Sequence, residues 1–183
     1  MAGTTHTVRR VRGSALPKRM ALVVAVTLTA ALLVAGLAGA DELDAPSEGF
    51  GAEVLAPHAT FSDDVAAKFR LQYDRGRTIV SNLPRDASTV VVAKVTWAPG
   101  ASSGWHTHPG PVIVSVVEGS VELTNARDCV THTYSAGEAF LDPGQGNVHI
   151  ATNVGNTDAV AYATFLGVPD GAPATEWVEP ADC

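Results

Sequence analysis

From Arg77 to Leu166 the chain alternates short β-rich runs with turn signals, a rhythm that leaves room for little except a sandwich or barrel of strands. Arg77–Asn82 is followed by Leu83-Pro84-Arg85-Asp86, and the strongly β-forming Thr89–Trp97 is broken by Ala98-Pro99-Gly100. Val112–Val117 and Val121–Asn125 flank Glu118-Gly119 as a hairpin. Thr131–Tyr134 and Ala139–Leu141 flank Ser135-Ala136-Gly137-Glu138. Val148–Asn153 and Ala159–Leu166 complete the set, separated by Val154-Gly155-Asn156-Thr157. The spacing predicts an all-β fold. One helix is expected upstream, over Ser62–Tyr73. There Ser62 would cap, Asp63 and Asp64 would sit in the first turn, and Val65, Phe69 and Tyr73 would share a face. Asp74-Arg75-Gly76 marks a turn after it.

The first forty residues read as an address. Arg9, Arg10, Arg12, Lys18 and Arg19 precede an uncharged apolar run, Ala21 to Ala40, that ends Ala38-Gly39-Ala40. A basic region, an apolar region and a small-residue site make a secretory signal peptide. The apolar run also reaches the roughly 18–20 residues that span a bilayer, so an uncleaved membrane anchor over 21–40 is the rival reading. Both place the remainder outside the cytoplasm. The organisation expected is 1–40 signal or anchor, 41–75 flexible leader and short helix, and 76–183 barrel domain.

With five of the twelve Lys and Arg in that address, residues 41–183 keep seven bases against all nineteen acids, a formal charge of −12. Such a surface repels phosphate backbones and anionic headgroups, so nucleic acid is not an expected partner and membrane contact is confined to the N-terminal segment. Cys129 and Cys183 are the two cysteines. In an oxidising compartment the pair reads as a disulfide that staples the C-terminal tail to the barrel; two free thiols, or a metal role without CxxC-type spacing, are the alternatives.

The chemistry concentrates in Gly100–Gly119. His106-Thr107-His108 carries two imidazoles two residues apart, which on an extended strand point to one face and can reach one ion. His149 follows later, near Asn153. His58 and His132 stand apart and read as surface residues; Trp105 reads as packing, and Tyr162 and Phe165 as barrel filling, with Tyr162 also a weak candidate for a substrate contact.

In these stretches the sequence resembles the cupin superfamily. The first cupin motif runs glycine, five residues, His-x-His, three or four residues, Glu, six residues, glycine; this chain has Gly100, His106-Thr107-His108, Val112 and Gly119. The second runs glycine, five residues, proline, then glycine, two residues, histidine, three residues, asparagine; this chain has Gly137, Pro143, Gly146, His149 and Asn153. The resemblance covers Thr89 to Leu166 and implies a small single-domain double-stranded β-helix, or jelly roll, holding one divalent transition metal on His106, His108 and His149. Three neutral imidazoles suit Zn, Fe, Cu or Ni; Mn stays among the alternatives, less favoured without a carboxylate ligand. The departure is Val112, which stands where the family has its carboxylate ligand. Glu118, Glu122 and Glu138 read as solvated turn residues rather than substitutes. The resemblance therefore implies a three-histidine variant acting on a small molecule, either a dioxygenase-like oxidoreductase or a non-catalytic binding module. Its catalytic residues are unassigned; the third alternative is a structural domain with a degenerate pocket, kept for homodimerisation through exposed sheet edges.

Overall fold

The computed structural model describes residues 43–72, 78–83 and 89–183. The leader region 1–42 and the turns expected at 74–76 and 84–86 lie outside the described residues. Among the described residues no helix is long and apolar enough to cross a membrane.

Thr89–Trp97 (β4) shows how sequence becomes architecture here. Thr89, Val91, Ala93, Val95 and Trp97 are buried while the residues between them are half-buried, the period-two pattern of a strand with one face on a core. It lies between Phe50–Thr60 (β1) and Ala159–Val168 (β11). Val112–Glu118 (β6) and Ala139–Asp142 (β9) continue that sheet in the order β1-β4-β11-β6-β9. The facing sheet runs β12-β5-β10-β7-β8. It comprises Glu176–Trp177 (β12), His106–Thr107 (β5), His149–Thr152 (β10), Ser120–Asn125 (β7) and Val130–Ser135 (β8). All pairings are antiparallel. Inward side chains of both sheets, Val95, Val114, Val121, Leu123, Ala151 and Phe165 among them, share one core. This is an all-β double-stranded β-helix, as expected.

Two expectations fail at the N-terminal side. The described part of the expected helix, Ser62–Gln72, is not helical: residues 62–67 form a bend and irregular chain, and Lys68–Gln72 (β2) pairs with Thr78–Asn82 (β3) as a separate hairpin, while Tyr73 lies outside the described residues. About three turns of helix is marginal in isolation, and alternation of Phe69 and Leu71 against Ser81 and Ile79 offers a ladder instead. Nor is the flexible leader expected within 41–75 free of regular structure, because β1 pairs with β4 from Phe50 to Thr60. Its register shifts near Ala56 and Pro57, where proline cannot donate to a ladder; this composition hides an edge strand.

The loop after β9 needs glycine for a definable reason. Gly144 has φ +58°, and a Cβ there would collide with the carbonyl oxygen of Gly110. This approach lets the Gln145 N–H donate to the carbonyl of His108 at 2.8 Å, tying the loop to the first histidine strand.

The tail after β11 returns across the barrel mouth as β12 and ends in a Cys129–Cys183 disulfide, Cα atoms 5.4 Å apart and 54 positions distant in sequence. Closing such a loop contributes about 4 kcal/mol on the chain-entropy account. Cys129→Ser is therefore expected to lower Tm under oxidising conditions and to match the parent under reducing ones. A parent that melts equally with and without reductant would count against the link.

Candidate metal centre

His106 and His149 are Cα partners across the β5–β10 ladder, so register alone places both rings side by side on the inner face. His108 follows β5 and returns to the same face. Ring centroids are 4.3 Å apart for His106 and His149, 4.8 Å for His106 and His108, and 5.2 Å for His108 and His149. One nitrogen of each lies within 4.8 Å of the others, and all three rings are buried.

The other nitrogen is tightly held in two of the three rings. His106 Nδ1 lies 2.7 Å from the Gly104 carbonyl, and His108 Nδ1 lies 2.9 Å from the Ala174 carbonyl in the returning tail. A carbonyl only accepts, so both rings carry their proton on Nδ1 and turn the Nε2 lone pair inward. His149 Nδ1 has only longer contacts, 3.4 Å to the Asn147 carbonyl and 3.4 Å to Asp142 Oδ1.

Burial keeps these rings neutral. It lowers His106 to about 3, helped by the charge His149 would carry and opposed by the Gly104 carbonyl. It lowers His108 to about 3, with His149 adding to the effect and Asp142 opposing it. It lowers His149 to about 4, opposed by the Asn147 carbonyl. Neutral imidazole is the form that binds a metal ion. Three converging, uncharged nitrogen donors suit Zn, Fe, Cu or Ni.

Asp142 is the residue sequence reasoning missed. Its carboxylate is 2% exposed and accepts from Asn147 Nδ2 at 2.8 Å and the Gly144 N–H at 2.9 Å. Burial pushes its pKa up, while His108, the Asn147 amide and the Gly144 N–H pull it down. Glu118 and Glu138 are exposed, Glu138 accepting the Ser135 N–H at 2.7 Å in its turn, and Glu122 is half-buried. None of the three lines the cavity, whereas Val112 and Asp142 both do.

The histidines open onto a cavity of about 310 Å³ walled chiefly by Phe50, Trp97, Val114, Phe140, Phe165 and Trp177. Phe165 stands 5.1 Å from His108, centroid to centroid. Tyr162 does not fill the barrel; it is 42% exposed on the outer face opposite Lys94 and Ser115, because mid-β11 turns Tyr162, Thr164 and Leu166 outward and Ala161, Ala163 and Phe165 inward. Trp105 is buried outside the cavity, as packing. His58 and His132 are half-buried and outside the cluster.

Residues 93–165 match the cupin domain family, a stretch that runs from the middle of β4 through most of β11 and holds all three histidines. They are a cupin domain. The domain is similar to germin-like protein 3-2 of Oryza sativa subsp. japonica, 41% identical over 80 residues, which are 42% of this chain and 36% of that relative. It is similar to germin-like protein 1-1 of the same organism, 37% identical over 89 residues, 46% of this chain and 41% of the relative. The chain thus spans well under half the length of these curated relatives. Among solved structures, a protein with a double-stranded β-helix domain from Klebsiella pneumoniae subsp. pneumoniae aligns at 23% identity with TM-score 0.42. That alignment covers 50% of this chain and 76% of the other.

Proposed function

We propose that the protein is an exported, metal-dependent cupin oxidoreductase of the dioxygenase type, acting on a small and largely apolar organic molecule. The carrying observation is the cross-strand pairing of His106 with His149, which with His108 gathers three neutral imidazoles at the wall of an apolar cavity. A divalent transition metal held there would supply a Lewis-acidic or redox-active centre, and three protein ligands leave coordination positions open toward the cavity. The chain's own contribution is threefold. Gly104 and Ala174 fix the rings of His106 and His108. Phe140, Phe165 and Trp177 exclude water and bind apolar surface. Val112 leaves the inner sphere without an anionic ligand, which keeps the ion strongly electrophilic.

Export is supported by the basic-then-apolar N-terminus and by the disulfide, which persists in oxidising compartments. The same reading includes a homodimer, supported by Ile113, Val117 and Tyr162, which are 38%, 44% and 42% exposed.

The test is elemental analysis of protein exported by its native route, followed by oxygen uptake with a panel of diols, flavonoids and thiols. One bound metal per chain and metal-dependent uptake with a panel member are expected. Metal without turnover would leave a binding module, and protein without metal would remove the proposal.

A further inference from the structure

Val112 stands where cupins carry their carboxylate ligand, yet an acid lies one rung away. Val112 and Asp142 are Cα partners across the β6–β9 ladder, and both side chains line the cavity. Partners in an antiparallel pair present their side chains to the same face, so Asp142 delivers a carboxylate beside the place Val112 leaves apolar. An ordinary solvated turn acid would not be built this way. Asp142 is 2% exposed and receives the Asn147 amide at 2.8 Å and the Gly144 N–H at 2.9 Å. Asn147 is itself anchored by Asn125 Oδ1 at 3.1 Å. Burying a carboxylate is costly, and this chain devotes two amide side chains and a backbone N–H to holding one in place.

The network ends at the one histidine that lacks a short backbone acceptor. His106 and His108 are fixed by carbonyls at 2.7 and 2.9 Å, whereas His149 Nδ1 sits 3.4 Å from both the Asn147 carbonyl and Asp142 Oδ1. We propose that Asp142 is the positioning carboxylate of this metal centre, transposed across the β6–β9 ladder from the position of Val112. In that role it holds the His149 proton on Nδ1 and turns Nε2 toward the ion. This rests on the metal-binding reading above. Asp142 acts on the ion through His149 rather than as a ligand, and its oxygens are not among the clustered donor atoms.

Asp142→Asn keeps the size but removes the charge, and in either orientation its amide NH2 faces a donor, Gly144 N–H or the Asn147–His149 pair. Zn²⁺ binding to the full chain, measured by competition with a chromophoric chelator, is expected to weaken about 10- to 100-fold, with the metal-free variant melting several degrees below the parent because of that mismatch but still folded at the assay temperature. In the metal-free parent, ring ¹⁵N shifts should show His149 protonated at Nδ1. Equal Zn²⁺ affinity in parent and variant, or a parent His149 protonated at Nε2, overturns the assignment while leaving the metal site standing. If the variant does not fold, the parent's ring spectrum decides alone. A parent that binds no Zn²⁺ overturns the metal centre itself.

Discussion

Replacing His149 by alanine is expected to abolish stoichiometric metal binding while the barrel stays folded. Outer-shell partners of a metal are worth roughly 10–100-fold in affinity, so loss of one of three direct ligands should cost about a thousandfold or more. The backbone of β10 does not depend on the ring, since its ladder to β7 runs from His149↔Asn125 to Thr152↔Glu122 through main-chain bonds. Alanine leaves a small void where a buried imidazole stood, and it also removes a polar group whose nearest acceptors are 3.4 Å away. These two effects oppose each other. Metal content by elemental analysis, with circular dichroism of the same sample, checks both halves. Retained metal would remove His149 from the ligand set.

The second large effect is acid lability of the metal-free protein. Unfolded, each imidazole takes up a proton near 6.5; folded, His106 and His108 resist until about 3 and His149 until about 4. Between those values the unfolded chain binds more protons, so stability falls as pH is lowered from 6.5. The limiting slope is about 1.4 kcal/mol per pH unit for each histidine, and from pH 7 to 5 the three together lose on the order of 5 kcal/mol. Asp142 works the other way. Its pKa is raised in the fold, so its contribution is present at acid pH and lost as pH rises through the folded value. One acid opposes three bases, and the bases set the sign. For the metal-free protein, Tm at pH 5 should lie roughly 10 °C or more below that at pH 7, and His149→Ala should flatten the dependence by about a third. A profile level between pH 7 and 5 would contradict the burial of these rings.

How far the sequence could be read depended on how local the signal was. β4, β6, β7, β8 and β11 announce themselves because β-branched alternation and turn residues lie next to each other in the chain. The three histidines were legible because their spacing is a motif. β1 was not, because Gly51, Ala52, Ala56 and Pro57 have little strand preference and are held there by pairing with β4. β12 is two residues long and exists only through its partner β5. Asp142 was hidden for a related reason: an acid before proline reads as a solvated turn, and only the β6–β9 register turns it inward. The Ser62–Tyr73 helix failed because capping residues and charge order are weak preferences that a hairpin partner overrides.

The tail that holds the Ala174 carbonyl against His108 also governs when the pocket comes into being. A ribosome delivers all three imidazoles well before it delivers Ala174, Trp177 and Cys183. Until that segment is in place His108 lacks its acceptor, β5 lacks its outer partner and the cavity lacks Trp177. One covalent link, Cys129–Cys183, therefore secures both a ring acceptor and a cavity wall, although neither cysteine touches a histidine of the cluster.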